Sequence, residues 1–201
     1  MLARSYRLKR AALHYAAHGW PVAPAINYAR KSWPRSPLTC ACVKAKECAQ
    51  PGAHPLDSDW QDTITTDSAQ IQRWWSTQSS PNVLLAPGEA FEAWLAPPVL
   101  GEQAAAMLAQ DRIMVPVVRS ADGSWIFLTQ PAAANASLSH IGVQRLTAGS
   151  YLAAPPSWHG AGRSDRWIAH PEVDALCAWE PVALLLLEAA RRTSPRPDVG
   201  N

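Results

Sequence analysis

The hydrophobic positions change their period several times along the chain. From 5 to 18, Leu8, Ala12, Leu13, Tyr15 and Ala16 recur with helical spacing and Gly19 supplies a stop, which predicts a helix. Trp20 to Ile26 places Pro21 and Pro24 among apolar residues and predicts a short edge strand, where a missing N–H is tolerated. Thr66-Asp67 offers an N-cap to a helix from Ser68 to Ser76 that carries Ile71, Trp74 and Trp75. Asn82 to Ala86 and Phe91 to Ala96 predict strands, and Gly101 to Gln110 a helix. Residues 115–119 and 124–128 predict a hairpin turned by Ala121-Asp122-Gly123, with Asp122 as a turn residue. Residues 143–146 and 150–154 predict a second strand pair about Ala148-Gly149, which Pro155-Pro156-Ser157 ends. Trp167-Ile168 is a further short strand, and Glu180-Pro181 opens a last helix to Arg192. The mixture has no βαβ rhythm and no internal repeat. It predicts an α+β fold, a mixed or antiparallel sheet with flanking helices, in one domain over 1–192, followed by a disordered tail over 193–201.

One stretch follows no period. Residues 30–58 are rich in Pro and Gly and read as an irregular insertion. It holds Cys40, Cys42, Cys48 and His54 in the pattern C-x-C-x5-C-x5-H. Three thiolates and an imidazole complete a tetrahedral set for zinc, and a knuckle closed by a metal explains why cysteines collect here. Two alternatives stay open: reduced free thiols, or a disulfide from Cys40 or Cys42 to Cys48. The spacing is not among the commonest for zinc. Against the disulfide, the first residues run straight into charge rather than an apolar signal core. Cys177 sits in an apolar context and reads as a small core residue.

Charge changes the picture more than composition does. The chain of 201 residues is 48% hydrophobic, enough for a core, and its longest apolar stretch, Pro181 to Leu187, is far too short to span a bilayer. A cytoplasmic location without membrane partners is the expectation. The net charge is only +2, yet residues 1–54 hold nine Lys and Arg against Glu47 alone. A basic first third suits a phosphate-rich partner, although a merely solvated basic face would look the same. Ten tryptophans offer both core and base-stacking surface. There is no Gly-rich phosphate loop with a lysine, no G-x-S-x-G and no H-E-x-x-H.

Several segments, in this order, carry a resemblance. They are Ala11-Ala12-Leu13-His14-Tyr15-Ala16-Ala17-His18-Gly19-Trp20-Pro21-Val22, and the cysteines leading into Pro51-Gly52-Ala53-His54-Pro55. Thr65-Thr66-Asp67 with Ile71-Gln72-Arg73-Trp74-Trp75 follows, then Pro81-Asn82-Val83-Leu84-Leu85-Ala86-Pro87-Gly88, and finally Ser150-Tyr151-Leu152-Ala153-Ala154-Pro155-Pro156-Ser157. Over roughly 8–170 the chain resembles the N-terminal domain of bifunctional DNA primase/polymerases, the prim-pol branch of the archaeo-eukaryotic primase superfamily. The resemblance implies DNA replication, a single-stranded or primer-template DNA partner, and a separate helicase or replication protein for a chain without its own helicase. For an active member it also implies Mg²⁺ or Mn²⁺ held by carboxylates.

Three motifs of that family are altered here. The first, a pair of metal-binding acids, falls on Leu95 and Pro97, and the nearby Glu92 is three residues away, on the other face of a strand. The second, a nucleotide-contacting histidine, falls on Trp125. The third, another carboxylate, falls near Gly142 to Leu146, where no acid stands. Pro155-Pro156-Ser157-Trp158-His159 is better retained, and the resemblance places Ser157 and His159 beside a phosphate or base. Arg30, Lys31, Arg35 and Arg119 are the further candidate nucleic-acid contacts. The reading is therefore a catalytically degenerate domain that still binds nucleic acid or nucleotide. The alternatives are a regulatory or protein-interaction scaffold without DNA affinity, and an active nucleotidyltransferase with displaced ligands.

Overall fold

The computed structural model describes residues 2–30, 38–77, 81–159, 163–169 and 176–193. Lys31, Arg35 and the expected tail from 194 onward lie outside these residues, and so do His170, Glu172 and Asp174.

The chain opens with α1 (Leu2–Ala17), followed by β1 (Val22–Ala25), β2 (Tyr28–Arg30) and β3 (Leu38–Cys40). A 3-10 turn over Ala45–Glu47 leads to the short α2 (Trp60–Thr63) and then α3 (Ser68–Thr77). Asp67 caps α3 as its sequence predicts, its carboxylate accepting from the N–H groups of Ala69 at 2.9 Å and Gln70 at 3.3 Å. Next come β4 (Asn82–Leu85), β5 (Glu92–Ala96) and α4 (Pro98–Gln110), which starts earlier than expected because Pro98 suits the first turn of a helix. The hairpin β6 (Val117–Arg119) and β7 (Trp125–Thr129) follows, then β8 (Gln144–Leu146) and β9 (Leu152–Ala153). A ribbon of β10 (Trp158–His159) and β11 (Arg163–Ser164) precedes β12 (Arg166–Ala169), and α5 (Trp179–Thr193) ends the described chain.

All named strand pairs are antiparallel. The main sheet has the order β12-β6-β7-β5-β8, and a smaller sheet has the order β1-β4-β9, with β1 at its edge. Two expectations are corrected here. Strands β8 and β9 do not pair with each other: β8 joins β5 and β9 joins β4, so the Ala148-Gly149 turn carries the chain from one sheet to the other. The insertion is also not wholly irregular, since β2 and β3 form an antiparallel pair across it.

Strand alternation sorts the main sheet into two faces. Ala93, Val118, Ile126, Leu128 and Leu146 join Leu8, Tyr15, Ile71 and Trp75 from α1 and α3 in one core. Trp94, Ala96, Val117, Trp125 and Phe127 join α4 and α5 in the other. A Cβ at Gly101 of α4 would stand 2.3 Å from the Trp125 Cβ, so only glycine lets this helix lie so close to β7.

Candidate functional site

Two regions carry chemistry, and they touch. The first is the insertion. Strand β3 delivers Cys40, the 3-10 turn separates Cys42 from Cys48, and the backbone carbonyl of His54 accepts from Ile26 N–H at 3.0 Å, tying the far end to the residue after β1. The four ligand atoms of Cys40, Cys42, Cys48 and His54 all lie within 4.8 Å of one another, and Cys40 Sγ is 3.4 Å from His54 Nε2. Ligands of a tetrahedral zinc with Zn–S near 2.3 Å stand about 3.8 Å apart, so this set fits the ion. Among the described residues it is the only group of three or more such side chains close enough to share one. The four cysteines are unpaired, so the disulfide alternative is not formed.

The surroundings suit a metal. Pro55 carbonyl lies 2.8 Å from His54 Nδ1, and a carbonyl can only accept. Nδ1 therefore carries the proton, leaving the Nε2 lone pair toward the thiols, the tautomer a metal needs. Burial pushes the Cys40 thiol up to about 11. Desolvation would raise Cys42 as well, but its polar contacts with His54, with Cys40 and with the Ala45 backbone outweigh it and bring this thiol down to about 6. The cluster thus holds one thiolate readily.

The second region is a cavity of about 520 Å³ against the main sheet. Leu95 of β5 is the partner of Ile126 on β7 and of Gln144 on β8, and this row lines the cavity with Leu146 and Leu152. Ala49, Gln50, Pro51 and Ala53, four of the five residues between Cys48 and His54, also line it. Gln50 is held there by the Tyr151 hydroxyl, which donates to its Oε1 at 2.6 Å. Cys48 and His54 thus bracket, along the chain, a segment that lines the cavity.

Besides Tyr151, the titratable groups of the cavity are Asp122 of the β6–β7 turn, His159 at the end of the Pro-Pro-Ser-Trp-His segment, and Asp165. His159 Nε2 lies 2.6 Å from Asp165 Oδ1, which also accepts from the N–H of Ala121 at 2.8 Å. Asp165 so fastens the turn to the start of β12. Burial alone would lower the His159 pKa, but the hydrogen bond and charge of Asp165, with Asp122 behind it, raise it above the ordinary value. Asp122 accepts from Ser124 N–H at 2.9 Å, as a turn residue should, and lines the cavity too. Among the described residues no Lys or Arg lines the cavity.

The sequence-predicted residues part company here. His159 reaches the cavity. Ser157 does not: it is fully buried, its hydroxyl accepting from Val83 N–H at 2.9 Å and donating to Val83 carbonyl at 3.1 Å. Arg119 sits on the far face of the sheet, its guanidinium 5.7 Å from the Trp125 ring. Arg30 ends β2, and its side chain is not described. Trp125 faces α4, so Ile126 is the β7 residue turned to the cavity.

Glu92 also lies on the far face. It binds Arg145 through both oxygens, at 2.8 and 2.9 Å, and accepts from Ala132 N–H at 3.0 Å. Arg145 spends its remaining donors on the carbonyls of Ala132, Ala133, Ala134 and Ala136. This buried pair holds a loop in place and leaves the acid no free oxygen for a cation. Gln144 and Tyr151 line the cavity although the sequence marked neither as a site residue; Asp165, which reads in the sequence as one of several scattered acids, is brought to His159 six residues away.

No curated protein matches the chain. The family of the bifunctional DNA primase/polymerase N-terminal domain matches residues 12–184, nearly the whole of both sheets and the insertion, and the chain belongs to that family.

Proposed function

We propose that this chain keeps the primase/polymerase fold and a grip on nucleic acid, but has lost metal-dependent nucleotide transfer. Leu95 is the observation that carries the reading. It faces the cavity from β5 at the position where the family's resemblance asks for a metal-binding acid, and its cross-strand partners are Ile126 and Gln144. None of the three offers a carboxylate to Mg²⁺, which prefers one or two such ligands with substrate phosphates. Asp122 and Asp165 each hold the β6–β7 turn through one oxygen, and although Asp165 Oδ2 is buried without a partner the two acids form no compact set with a third group. Among the described residues no Lys or Arg stands on the walls to hold a triphosphate without metal.

Binding is supported separately, by the surplus of cations in the first third of the chain. The partner is DNA, single-stranded or as a primer-template. Cys40, Cys42, Cys48 and His54 hold one structural zinc. No helix among the described residues is long and apolar enough to cross a membrane, and unpaired thiols suit a reducing, cytoplasmic setting.

Primer synthesis and extension on single-stranded templates, with Mg²⁺ and then Mn²⁺, test this. The expected result is no incorporation by protein that binds the template. Incorporation that disappears in Asp122→Asn or Asp165→Asn would establish an active enzyme with displaced ligands. Failure to bind any template, even at low salt, would establish a protein-interaction scaffold. Glu92→Ala is unsuitable as an active-site control because it breaks the Arg145 pair.

A further inference from the structure

Outside the cavity, the ribbon β10–β11 presents a second surface. Neighbouring residues of a strand point to opposite sides. His159 turns into the cavity, and Trp158 turns outward, where it is 39% exposed. Its backbone is fixed on both sides by one buried side chain: Asn82 Oδ1 accepts from Trp158 N–H at 3.2 Å, and Asn82 Nδ2 donates to Trp158 carbonyl at 2.6 Å. The same Asn82 Oδ1 accepts from Arg4 Nη2 at 3.3 Å, and the Arg4 guanidinium lies 5.2 Å from the Trp158 ring centre. One asparagine therefore sets an indole and a guanidinium against each other at the surface.

Arg4 belongs to α1, whose 16 residues include Arg4, Arg7, Lys9 and Arg10 and no acid. Among the described residues none of the four forms an ion pair. Arg7 lies one turn from Arg4, and burial together with its charge lowers the Arg4 pKa. Two neighbouring cations without a counter-charge beside a rigid exposed aromatic ring suit a ligand that is both anionic and planar.

We infer that Trp158 with Arg4 and Arg7 forms a docking ledge for single-stranded nucleic acid, an unpaired base stacking on the indole while adjacent phosphates meet the α1 arginines. The ledge rests on the proposed nucleic-acid-binding role but names a surface separate from the cavity. A duplex hides its base faces and gains nothing from the ring; an acidic protein segment would use the arginines without the ring.

Fluorescence anisotropy of a labelled oligothymidine of about 20 nucleotides tests it, at low and at near-physiological salt. Trp158→Ala should weaken binding about 10-fold, and Trp158→Phe should restore most of the loss. Arg7→Ala should lower the slope of log affinity against log salt by about 0.7, the share of one phosphate contact on a single strand. Both Trp158 contacts with Asn82 run through the backbone, and Arg7 is exposed, so these variants keep the fold; melting temperatures check that. Wild-type binding that neither substitution changes would overturn the ledge and leave the binding role standing. Equal affinity for a blunt duplex, or equal competition by polyglutamate, would also overturn it. No binding by the wild type would overturn the ledge and the binding role together.

Discussion

The Cys-rich insertion and the sheet cavity share Ala49, Gln50, Pro51 and Ala53, yet they differ in the side chains they present. In the insertion, four ligands from a span of 15 residues converge with the imidazole tautomer already set. In the cavity, the sheet still lays β5, β7 and β8 side by side, but the side chains turned inward are leucine, isoleucine and glutamine. The scaffold of a site and its chemistry are thus separable. Backbone pairing depends on alternation and burial, which Leu95 satisfies as well as an acid would. Metal binding depends on the charge of single residues.

The largest expected effect breaks the better-equipped side of that contrast. Cys42→Ser should take bound zinc from one ion per chain to none by elemental analysis. Hydrogen exchange should then rise over residues 38–55 and at the Gln50–Tyr151 contact, loosening the cavity wall. Equimolar reactive thiols with no zinc in the wild type would remove the metal from the account.

Glu92→Ala comes next. It leaves the Arg145 guanidinium buried without its carboxylate, and such a break costs about 3–5 kcal/mol. Thermal melting should fall sharply while divalent-cation binding stays as it was. A loss of cation binding with stability unchanged would return Glu92 to the cavity chemistry.

A gain is smaller and sharper. Leu95→Asp with Gln144→Glu sets two carboxylates across the β5–β8 pair. The doubly substituted protein should acquire a Mn²⁺ site of roughly millimolar affinity, visible by electron paramagnetic resonance. If none appears, charge alone is not what separates the two regions.

The pH response is the smallest effect. The folded-state pKa of His159 is raised by Asp165 and Asp122, so its pair with Asp165 stabilises fully below the unfolded value of about 6.5 and fades as pH rises through the folded value. Wild-type melting should drop relative to His159→Gln over that interval. Parallel curves would show that the pair contributes nothing through ionisation.

Much of this was legible in the sequence, for reasons that differ by region. The four side chains that could hold a metal lie close along the chain, and local spacing found them. Helices α1, α3 and α5 followed their periodicity. The three-residue offset that puts Glu92 opposite Leu95 followed from strand alternation alone. The partnership of Glu92 with Arg145 could not be seen, because β8 meets β5 across 53 residues of chain. The same holds for Asn82, which ties Ile26, Gly52 and Trp158 together. Ser157 looked like a surface contact because a polar residue after two prolines carries no sign that its hydroxyl will close on Val83.

The most direct measurement is a metal count on one sample: zinc by elemental analysis, and Mn²⁺ by electron paramagnetic resonance with a deoxynucleoside triphosphate present. The account predicts one tightly held zinc per chain and no Mn²⁺ bound with the nucleotide. Mn²⁺ binding that requires the nucleotide, lost in Asp122→Asn or Asp165→Asn, would contradict it and restore a working polymerase site.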